Sequence, residues 1–253
     1  MKCIILAAGY ATRLYPLTSN YPKPLLKVQE KTILDWLIDD LESTKEIDEY
    51  IIISNNKFHR FFMEWKNNHE ISNRLLILND FTNTNEERLG AVKDIELALT
   101  LKDIKEDTLV MAGDNLLDFS LNDFIQYFKE KQKTTIMRYY EASDEKVKKS
   151  AEVIIDHNDL VLEMNEKPFN PKSNWCSPPF YIYHKDDIKE VKEAIQNGCN
   201  IDAPGSFIQY LYRKKEVYAY EMPGKRYDIG NMDSYNQVCL EYPGIKKRKV
   251  KIR

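Results

Sequence analysis

The sequence contains little cysteine and no long apolar run. Its cysteines lack both the CxxC spacing of a zinc ribbon and the density of a disulfide framework, which favours a reducing, cytoplasmic setting; they are Cys3, Cys176, Cys199 and Cys239. No apolar stretch approaches the roughly 20 residues that span a bilayer, so we expect no membrane partner. The apolar opening at residues 3–8 is shorter than the core of a signal peptide, and Arg13 follows it closely, which favours a buried strand.

A large excess of charge of either sign is also absent. The net charge is -3, with 43% hydrophobic and 30% charged residues, which is ordinary for a globular protein and argues against a generalised attraction to nucleic acid. The histidines lack metal-ligand spacing: they are His59, His69, His157 and His184. A basic tail at residues 243–253 is more typical of a solvated end than of a binding arm. The function must therefore depend on a local group of residues.

Short apolar runs alternate with segments of helical period along the first half of the chain. This alternation predicts buried parallel strands joined by crossover helices; the runs are at residues 3–8, 50–54, 75–78, 108–113 and 134–140. The first crossover, residues 32–44, has the spacing of an amphipathic helix, and Thr32 is suited to cap it. The pattern indicates the α/β class, with a Rossmann-like, mostly parallel mixed sheet flanked by helices.

The second half has a different, mixed pattern. Apolar runs at residues 151–156 and 160–164 flank the turn HND and predict a small β-hairpin, followed by a loop over residues 166–174. A strand at 180–184, a helix at 185–197 and a last strand at 216–222 complete the prediction. No linker separates the halves. We therefore expect a single domain of residues 1–242, divided into halves at 1–140 and 141–242, with the tail at 243–253.

The loop after the first strand combines small residues with two cations. Ala8 and Gly9 would let a ligand approach the backbone, while Arg13 and Lys23 would neutralise phosphate charge. Prolines on both sides of Lys23 restrict the backbone there. Neither GxGxxG nor GxxxxGK[ST] is present, so the two commoner nucleotide loops are excluded. An ordinary strand-to-helix loop with a surface arginine and lysine is the alternative.

Two aspartates are candidates for a Mg²⁺ site. Asp114, in AGDN, follows a predicted strand, and Asp228 lies in RYDIGN. Mg²⁺ prefers one or two carboxylates together with phosphates and water. Helix caps or turns are the alternative for both residues, since DN and DIG also suit turns.

Six segments, taken in order, resemble the signature of the sugar-phosphate nucleotidylyltransferases, the group that contains glucose-1-phosphate thymidylyltransferase and related pyrophosphorylases. They cover almost the whole chain: LAAGYATRLYPLT, YPKPLL, ERLGA, AGDN, NEKP and YDIG. The resemblance implies an enzyme that transfers a nucleoside monophosphate from an NTP to a phosphorylated small molecule, such as a sugar 1-phosphate, and releases pyrophosphate. The halves at 1–140 and 141–242 would bind the nucleotide and the acceptor, respectively.

The resemblance also implies roles for individual residues. Arg13 and Lys23 would act in catalysis by holding the triphosphate. The nucleotide would contact Leu6, Ala8, Gly9, Arg13, Lys23 and Gly90, with Gly90 near the base. Glu166 and Lys167 would bind the acceptor, and Asp114 and Asp228 would bind Mg²⁺. The acceptor phosphate would attack the α-phosphorus in line, without a covalent enzyme intermediate and without a catalytic histidine.

Two departures from the family pattern concern the acceptor. Ser150 and Ala151 stand where sugar-1-phosphate enzymes typically have Tyr-Gly-Val, and Pro179 stands where a glycine usually lets the backbone approach the sugar. Both changes weaken the case for glucose 1-phosphate. A choline-phosphate-type cytidylyltransferase and a catalytically silent, ligand-sensing subunit are the alternatives. The choice of base and the oligomeric state, including a homo-oligomer, stay open.

Overall fold

The structure is a computed structural model and describes residues 1–246, so the predicted tail lies outside the described residues from position 247 onward. The strands are β1 Lys2–Leu6, β2 Lys27–Val28, β3 Lys31–Thr32, β4 Glu49–Ser54, β5 Leu75–Asn79, β6 Thr108–Ala112, β7 Asn115–Leu117, β8 Thr135–Tyr140, β9 Ala151–Ile155, β10 Val161–Glu166, β11 Trp175–Ser177, β12 Phe180–Tyr183, β13 Tyr218–Glu221 and β14 Arg226–Asp228. The α-helices are α1 Ile33–Thr44, α2 His59–Asn67, α3 Ala91–Lys102, α4 Asn122–Lys131, α5 Asp144–Val147, α6 Val191–Gln196, α7 Gly205–Leu211 and α8 Met232–Glu241.

Strand β1 lies at the centre of the parallel part of a ten-stranded sheet. It pairs with β4 on one side and β6 on the other, and β5 lies beyond β4. Ile4 and Ile5 are both fully buried, in core clusters on opposite faces of the sheet. A strand covered on both faces requires a continuous apolar run, which is the pattern that predicted it. The predicted α/β class with a mixed Rossmann-like sheet is confirmed.

The order of the strands reverses beside β1. The chain passes from β1 to β4 and β5 on one side, and then returns through α3 to β6 on the other side. Open sheets of this type bind ligands beyond the carboxyl ends of the strands at the point of reversal. The loops that follow β1 and β6 flank this point.

The second half of the chain extends the sheet with mainly antiparallel strands. Strand β12 is antiparallel to both β6 and β8 and so joins the two halves. The predicted hairpin is present as β9 and β10, and β11 connects it to β8. The helix predicted over 185–197 is shorter than expected: the amides of Asp187 and Ile188 bond to the carbonyl of His184, and this turn delays α6.

Helix α1 begins as predicted. The Oγ1 of Thr32 accepts a hydrogen bond from the backbone N–H of Asp35, and the Asp35 side chain accepts one from the backbone N–H of Thr32. This capping box satisfies two backbone donors at the start of the helix. The predicted apolar face is buried: Ile33, Leu34, Leu37, Ile38 and Leu41.

The helices cover both faces of the sheet. Helices α1, α2 and α4 contribute to the core on one face, and α3, α6 and α7 contribute to the core on the other. Within residues 1–246, no helix has the length and apolar character that crossing a membrane requires.

A short antiparallel ribbon connects two distant segments of sequence. Strand β7 is separated from the end of β6 by two residues and pairs with β14, which places Asn115 opposite Asp228. The sequence did not predict this ribbon, because three-residue strands are too short to show a recognisable alternation. It brings the AGDN and YDIG segments together.

Candidate active site

A cleft of about 370 Å³ opens at the point where the strand order reverses. Its lining comes from the loop after β1, the loop after β6, and the segment between β5 and α3. Seven of the predicted site residues line it: Leu6, Ala8, Gly9, Arg13, Lys23, Gly90 and Asp114. We call this space the first cleft.

Gly9 and Gly90 both line the first cleft, but the absence of a side chain matters for a different reason at each position. A Cβ atom at Gly9 would meet no protein atom within 4 Å, so packing within the chain does not require glycine there. The missing side chain leaves space for a ligand beside the backbone. At Gly90, φ is +94°, and a Cβ would lie 2.5 Å from the carbonyl oxygen of Ile201. The fold itself therefore requires Gly90.

Lys23 is held firmly at the edge of the first cleft. It begins the 3-10 turn Lys23–Leu25, between Pro22 and Pro24, and only 7% of its surface is exposed. Its Nζ lies 2.7 Å from Oδ2 of Asp114. A buried ammonium group needs such a partner, because removing its charge from water is costly.

The surroundings of Asp114 favour the ionised form of its carboxyl group. Burial alone would raise its pKa, but the nearby charges of Lys23 and Arg226 outweigh burial and lower the pKa. The Nδ2 of Asn115 donates a hydrogen bond to its Oδ1 at 2.7 Å. About 39% of the Asp114 side chain remains exposed, so its oxygens are accessible from the cleft.

Asp228 lies beside this group on the ribbon of β7 and β14. It is opposite Asn115, and the Nη1 of Arg226 lies 2.6 Å from Oδ1 of Asn115 and 3.7 Å from Oδ1 of Asp228. The ribbon thus places Asp228 opposite Asn115, the residue that follows Asp114 in the chain. In the described part of the chain, no group of three or more His, Cys, Asp or Glu side chains is placed to hold a metal ion. Two carboxylates still match the donor set of Mg²⁺, which takes its other ligands from phosphates and water.

A second, larger cleft of about 1030 Å³ adjoins the first. Arg13 lines both clefts, and Asp228 lines the second. The residues that depart from the family pattern also line the second cleft, together with Glu166; they are Ser150, Ala151 and Pro179. The structure thus separates the predicted nucleotide and acceptor residues into neighbouring spaces.

Glu166 and Lys167 have different environments despite their adjacency. Glu166 is half-buried, and burial raises the pKa of its carboxyl group. The carboxyl group packs so closely against Gly205 that a Cβ there would lie 2.4 Å from its Oε2. Lys167 is exposed, and its backbone N–H donates to the carbonyl of Ser150. Among the described residues that line the two clefts, Lys167 is absent.

Sequence reasoning missed several charged residues of the site, among them Arg226, Asp80 and Asp94. Arg226 could have been found, because it lies two residues before Asp228 and therefore on the same face of a strand. Asp80 lies just after the predicted strand at 75–78, a position that indicates the cleft, whereas Asp94, which also lines the first cleft, left no such signal. Asp94 occupies the first turn of α3, where an acidic residue is ordinarily exposed and favourable. Its burial depends on chain segments that are distant in sequence.

The chain is similar over most of its length to known proteins. A family model described as nucleotidyl transferase matches residues 2–243. The bifunctional protein GlmU of Methanocaldococcus jannaschii is 26% identical over 234 residues, which cover 91% of this chain and 51% of that protein. The glucose-1-phosphate adenylyltransferase of Fervidobacterium nodosum is 25% identical over 250 residues, which cover 94% of this chain and 60% of that protein. The chain thus spans between half and two thirds of these relatives.

Solved structures share the fold. A UDP-glucose pyrophosphorylase in complex with UDP-glucose superimposes with a TM-score of 0.80 at 20% identity, covering 95% of this chain and 97% of that one. The UDP-glucose pyrophosphorylase from Acinetobacter baumanii has a TM-score of 0.76 at 18% identity, covering 95% of this chain and 92% of that one.

Proposed function

The chain belongs to the nucleotidyl transferase family, as its motifs predicted, and from this premise we propose that it transfers a nucleoside monophosphate from an NTP to a phosphorylated small molecule. The acceptor is a sugar 1-phosphate or a similar metabolite, and pyrophosphate is released. The observation that carries the proposal is the position of Arg13, which lines both clefts. A cation at this boundary would contact phosphates from both substrates.

The first cleft would bind the NTP. Arg13 and Lys23 would hold the triphosphate, and the space beside Gly9 would let phosphate oxygens reach backbone N–H groups. Leu6, Ala8 and Gly90 would enclose the nucleoside. We assign this part of the reaction to the half at residues 1–140.

The second cleft would bind the acceptor. Glu166 would hydrogen-bond the acceptor, and its raised pKa is consistent with a carboxyl group that can also donate a proton in that contact. Lys167 would approach the acceptor's phosphate only through a change of its side-chain conformation, since it lines neither cleft. We assign the acceptor to the half at residues 141–242.

The reaction requires positioning and charge stabilisation more than acid–base chemistry. An oxygen of the acceptor phosphate would attack the α-phosphorus, and the bond between the α-phosphorus and its bridging oxygen to the β-phosphorus would break. Pyrophosphate would leave with that electron pair. Because the attacking phosphate is already an anion, no general base is needed. Arg13 and Lys23 would stabilise the negative charge that accumulates during transfer.

Asp114 and Asp228 would hold Mg²⁺, which would offset the repulsion between the two anionic substrates. Two observations support this assignment: the ribbon places Asp228 opposite Asn115, next to Asp114 in the chain, and the pKa of Asp114 is lowered by the charges of Lys23 and Arg226 despite burial.

The test is a matrix of NTPs against sugar 1-phosphates, phosphocholine and other phosphorylated metabolites, with pyrophosphate release as the readout. Arg13→Ala is expected to lower kcat/KM on the order of 100- to 1,000-fold. Arg60→Ala is the matched control, because Arg60 is an exposed arginine stacked on Phe61 and lines neither cleft.

Acceptor-dependent release of pyrophosphate by any pair supports the proposal. Turnover with CTP and phosphocholine alone would identify the cytidylyltransferase alternative. Nucleotide binding without release from any pair would contradict an enzymatic function and favour a ligand-sensing subunit.

A further inference from the structure

We propose that the base end of the first cleft selects nucleotides whose base carries an exocyclic amino group, which donates a hydrogen bond to Asp94, over uridine and thymidine nucleotides. This inference rests on the proposed function and specifies its NTP. It depends on the charge distribution of the cleft and on one buried, unpartnered oxygen atom.

The first cleft has two cations on one side, where Asp114 is paired with Lys23, and the carboxylates of Asp80 and Asp94 on another. Arg13 and Lys23 line the side formed by the loop after β1, whereas Asp80 and Asp94 line the side formed by the segment after β5 and by α3. A triphosphate would be repelled by the carboxylates and attracted by the cations. The uncharged base therefore faces Asp80 and Asp94.

One further cation lies on the acidic side, but it is already paired. The Nε of Arg88 lies 2.9 Å from Oδ1 of Asp202, and both residues line the cleft. Because Arg88 and Asp202 are paired with each other, Asp80 and Asp94 are the charged groups that determine which edge of a base binds on this side of the cleft.

The Oδ1 atom of Asp94 is buried without a hydrogen-bond partner among residues 1–246. Only 6% of the Asp94 surface is exposed, and the residue lines the cleft from the first turn of α3. Native proteins rarely leave such an atom unpaired, since a buried polar group without a partner is destabilising. A ligand that donates a hydrogen bond to Oδ1 removes this penalty, after a small rotation of the Asp94 side chain that exposes this oxygen to the cleft.

Asp80 is oriented, and it adds negative charge. Its carboxylate accepts hydrogen bonds from the backbone N–H of Thr82 at 2.7 Å and from Oγ1 of Thr82 at 2.9 Å. Thr82 in turn contacts the hydroxyl of Tyr10 at 3.0 Å. Burial, with a smaller contribution from the negative charge of Asp80, raises the pKa of Asp94. This side of the cleft thus presents acceptor oxygens to a ligand.

An amino group suits this environment better than the edge of uracil or thymine. The amino groups of adenine, guanine and cytosine donate hydrogen bonds, and above its pKa of about 7 the ionised carboxylate of Asp94 can only accept them. Uracil and thymine have their single N–H between two carbonyl oxygens, and those oxygens would approach the carboxyl oxygens of Asp80 and Asp94. Polar sites discriminate strongly when the wrong ligand leaves a buried group unpaired.

The experiment measures equilibrium binding of NTPs to the full chain with Mg²⁺ by isothermal titration calorimetry at about pH 8.5, above the pKa of Asp94 of about 7, so that its carboxylate is ionised. CTP against UTP, and ATP against ITP, change an amino group to a carbonyl on the same ring, and GTP against ITP removes an amino group. Binding of dTTP completes the set. We expect the tightest ligand to carry an amino group and to bind at least about tenfold more tightly than its amino-lacking partner.

Asp94→Asn tests the residue itself. The asparagine amide is similar in size but can donate to a carbonyl oxygen of uracil or thymine, so the preference is expected to fall about tenfold through tighter binding of UTP or dTTP. Asp40→Asn is the matched control: Asp40 is also a buried aspartate, its Oδ2 accepts from the backbone N–H of Leu121, and it lines neither cleft.

The outcomes separate the two proposals. If UTP or dTTP is the tightest ligand, or if Asp94→Asn leaves the preference unchanged, the inference about the base is wrong and the proposed reaction class is unaffected. If none of the NTPs binds, both proposals are wrong. Equal weakening of all NTPs by Asp94→Asn would show a structural contribution of Asp94 and would also contradict the inference.

Discussion

Lys23 and Asp114 form an ion pair across the first cleft, with 2.7 Å between Nζ and Oδ2, although 91 residues separate them in the sequence. The pair joins the turn after the first loop to the end of β6. It keeps a cation and a carboxylate at the place where an NTP and Mg²⁺ would need both. Incoming phosphates and Mg²⁺ would compete for the two partners, so the pair is suited to rearrange when substrates bind.

Replacing Lys23 tests the proposed hold on the triphosphate. Lys23→Ala is expected to lower kcat/KM on the order of 100- to 1,000-fold, because a preorganised cation beside the reacting phosphates is lost. Lys27→Ala is the control, since Lys27 is exposed on β2 and lines neither cleft. Steady-state pyrophosphate assays measure both variants. A Lys23→Ala enzyme with near-parental kcat/KM would contradict the assignment.

Neutralising either ribbon carboxylate is expected to weaken Mg²⁺ binding. Asp114→Asn and Asp228→Asn each remove one anionic ligand, so the Mg²⁺ concentration for half-maximal turnover should rise and turnover should fall. Asp103→Asn is the control, because Asp103 is exposed and its left-handed backbone, with φ of +46°, suits asparagine. Unchanged Mg²⁺ dependence in both ribbon variants would exclude these residues as its ligands.

Two glycines with positive φ separate backbone strain from steric overlap. Gly198→Ala should destabilise the protein by about 1 kcal/mol, since its φ is +79° and a Cβ there meets nothing within 4 Å. Gly90→Ala should cost more, because the added Cβ also overlaps the carbonyl oxygen of Ile201. Urea unfolding at constant pH compares the free energies of unfolding. Equal free energies of unfolding for the two variants would contradict a steric overlap at Gly90.

The stability of the protein should depend on pH through Asp94. Burial, assisted by the charge of Asp80, raises the pKa of Asp94 to about 7 in the folded state. The unfolded chain releases this proton near pH 4, so between about pH 4 and 7 the folded state holds a proton that the unfolded state lacks. The free energy of unfolding therefore falls as pH rises from about 4 to 7, by at most about 1.4 kcal/mol per pH unit. Above about pH 7 the ionisation of Asp94 changes it no further.

Asp94→Asn isolates this effect because asparagine does not titrate. The free energy of unfolding of the parent protein minus that of Asp94→Asn should decrease from pH 4.5 to 7 when measured by urea denaturation. Asp80 is present in both proteins and contributes equally to a first approximation. A difference that is flat or rises with pH would show that Asp94 is ionised throughout.

Glucose 1-phosphate is expected to be a poor acceptor. The carbonyl oxygens of Ser150 and Pro179 already accept hydrogen bonds from Lys167 and Ala112, and Pro179 has no N–H to offer a sugar hydroxyl. We expect kcat/KM below roughly 10⁴ M⁻¹s⁻¹ with glucose 1-phosphate, and a higher value with another phosphorylated acceptor. Pro179→Gly, which restores an N–H, should raise the value for glucose 1-phosphate. Efficient turnover of glucose 1-phosphate by the parent protein would refute this prediction.

The sequence alone determined the elements and the family. The buried strands appear as apolar runs and α1 as a helical period with a capping threonine, because burial on both faces and capping are encoded within a few neighbouring residues. The residues of the first loop and the AGDN and YDIG segments were also recognised, because each motif lies within a few neighbouring residues. The length of the helix near residue 190 and the ribbon of β7 and β14 were not predicted, since they depend on hydrogen bonds with little local signal.

Only the tertiary structure decided which charges meet. It brought Lys23 to Asp114, set Asp228 beside Asn115, placed Arg13 between two clefts, left Lys167 outside both, and buried an oxygen of Asp94 without a partner. Hydrophobic periodicity states which face of an element is buried but not which distant segment covers it. Ion pairing and desolvation act over a few ångströms between such segments, so the pKa of Asp94 and the charge distribution of the cleft exist only once the chain has folded.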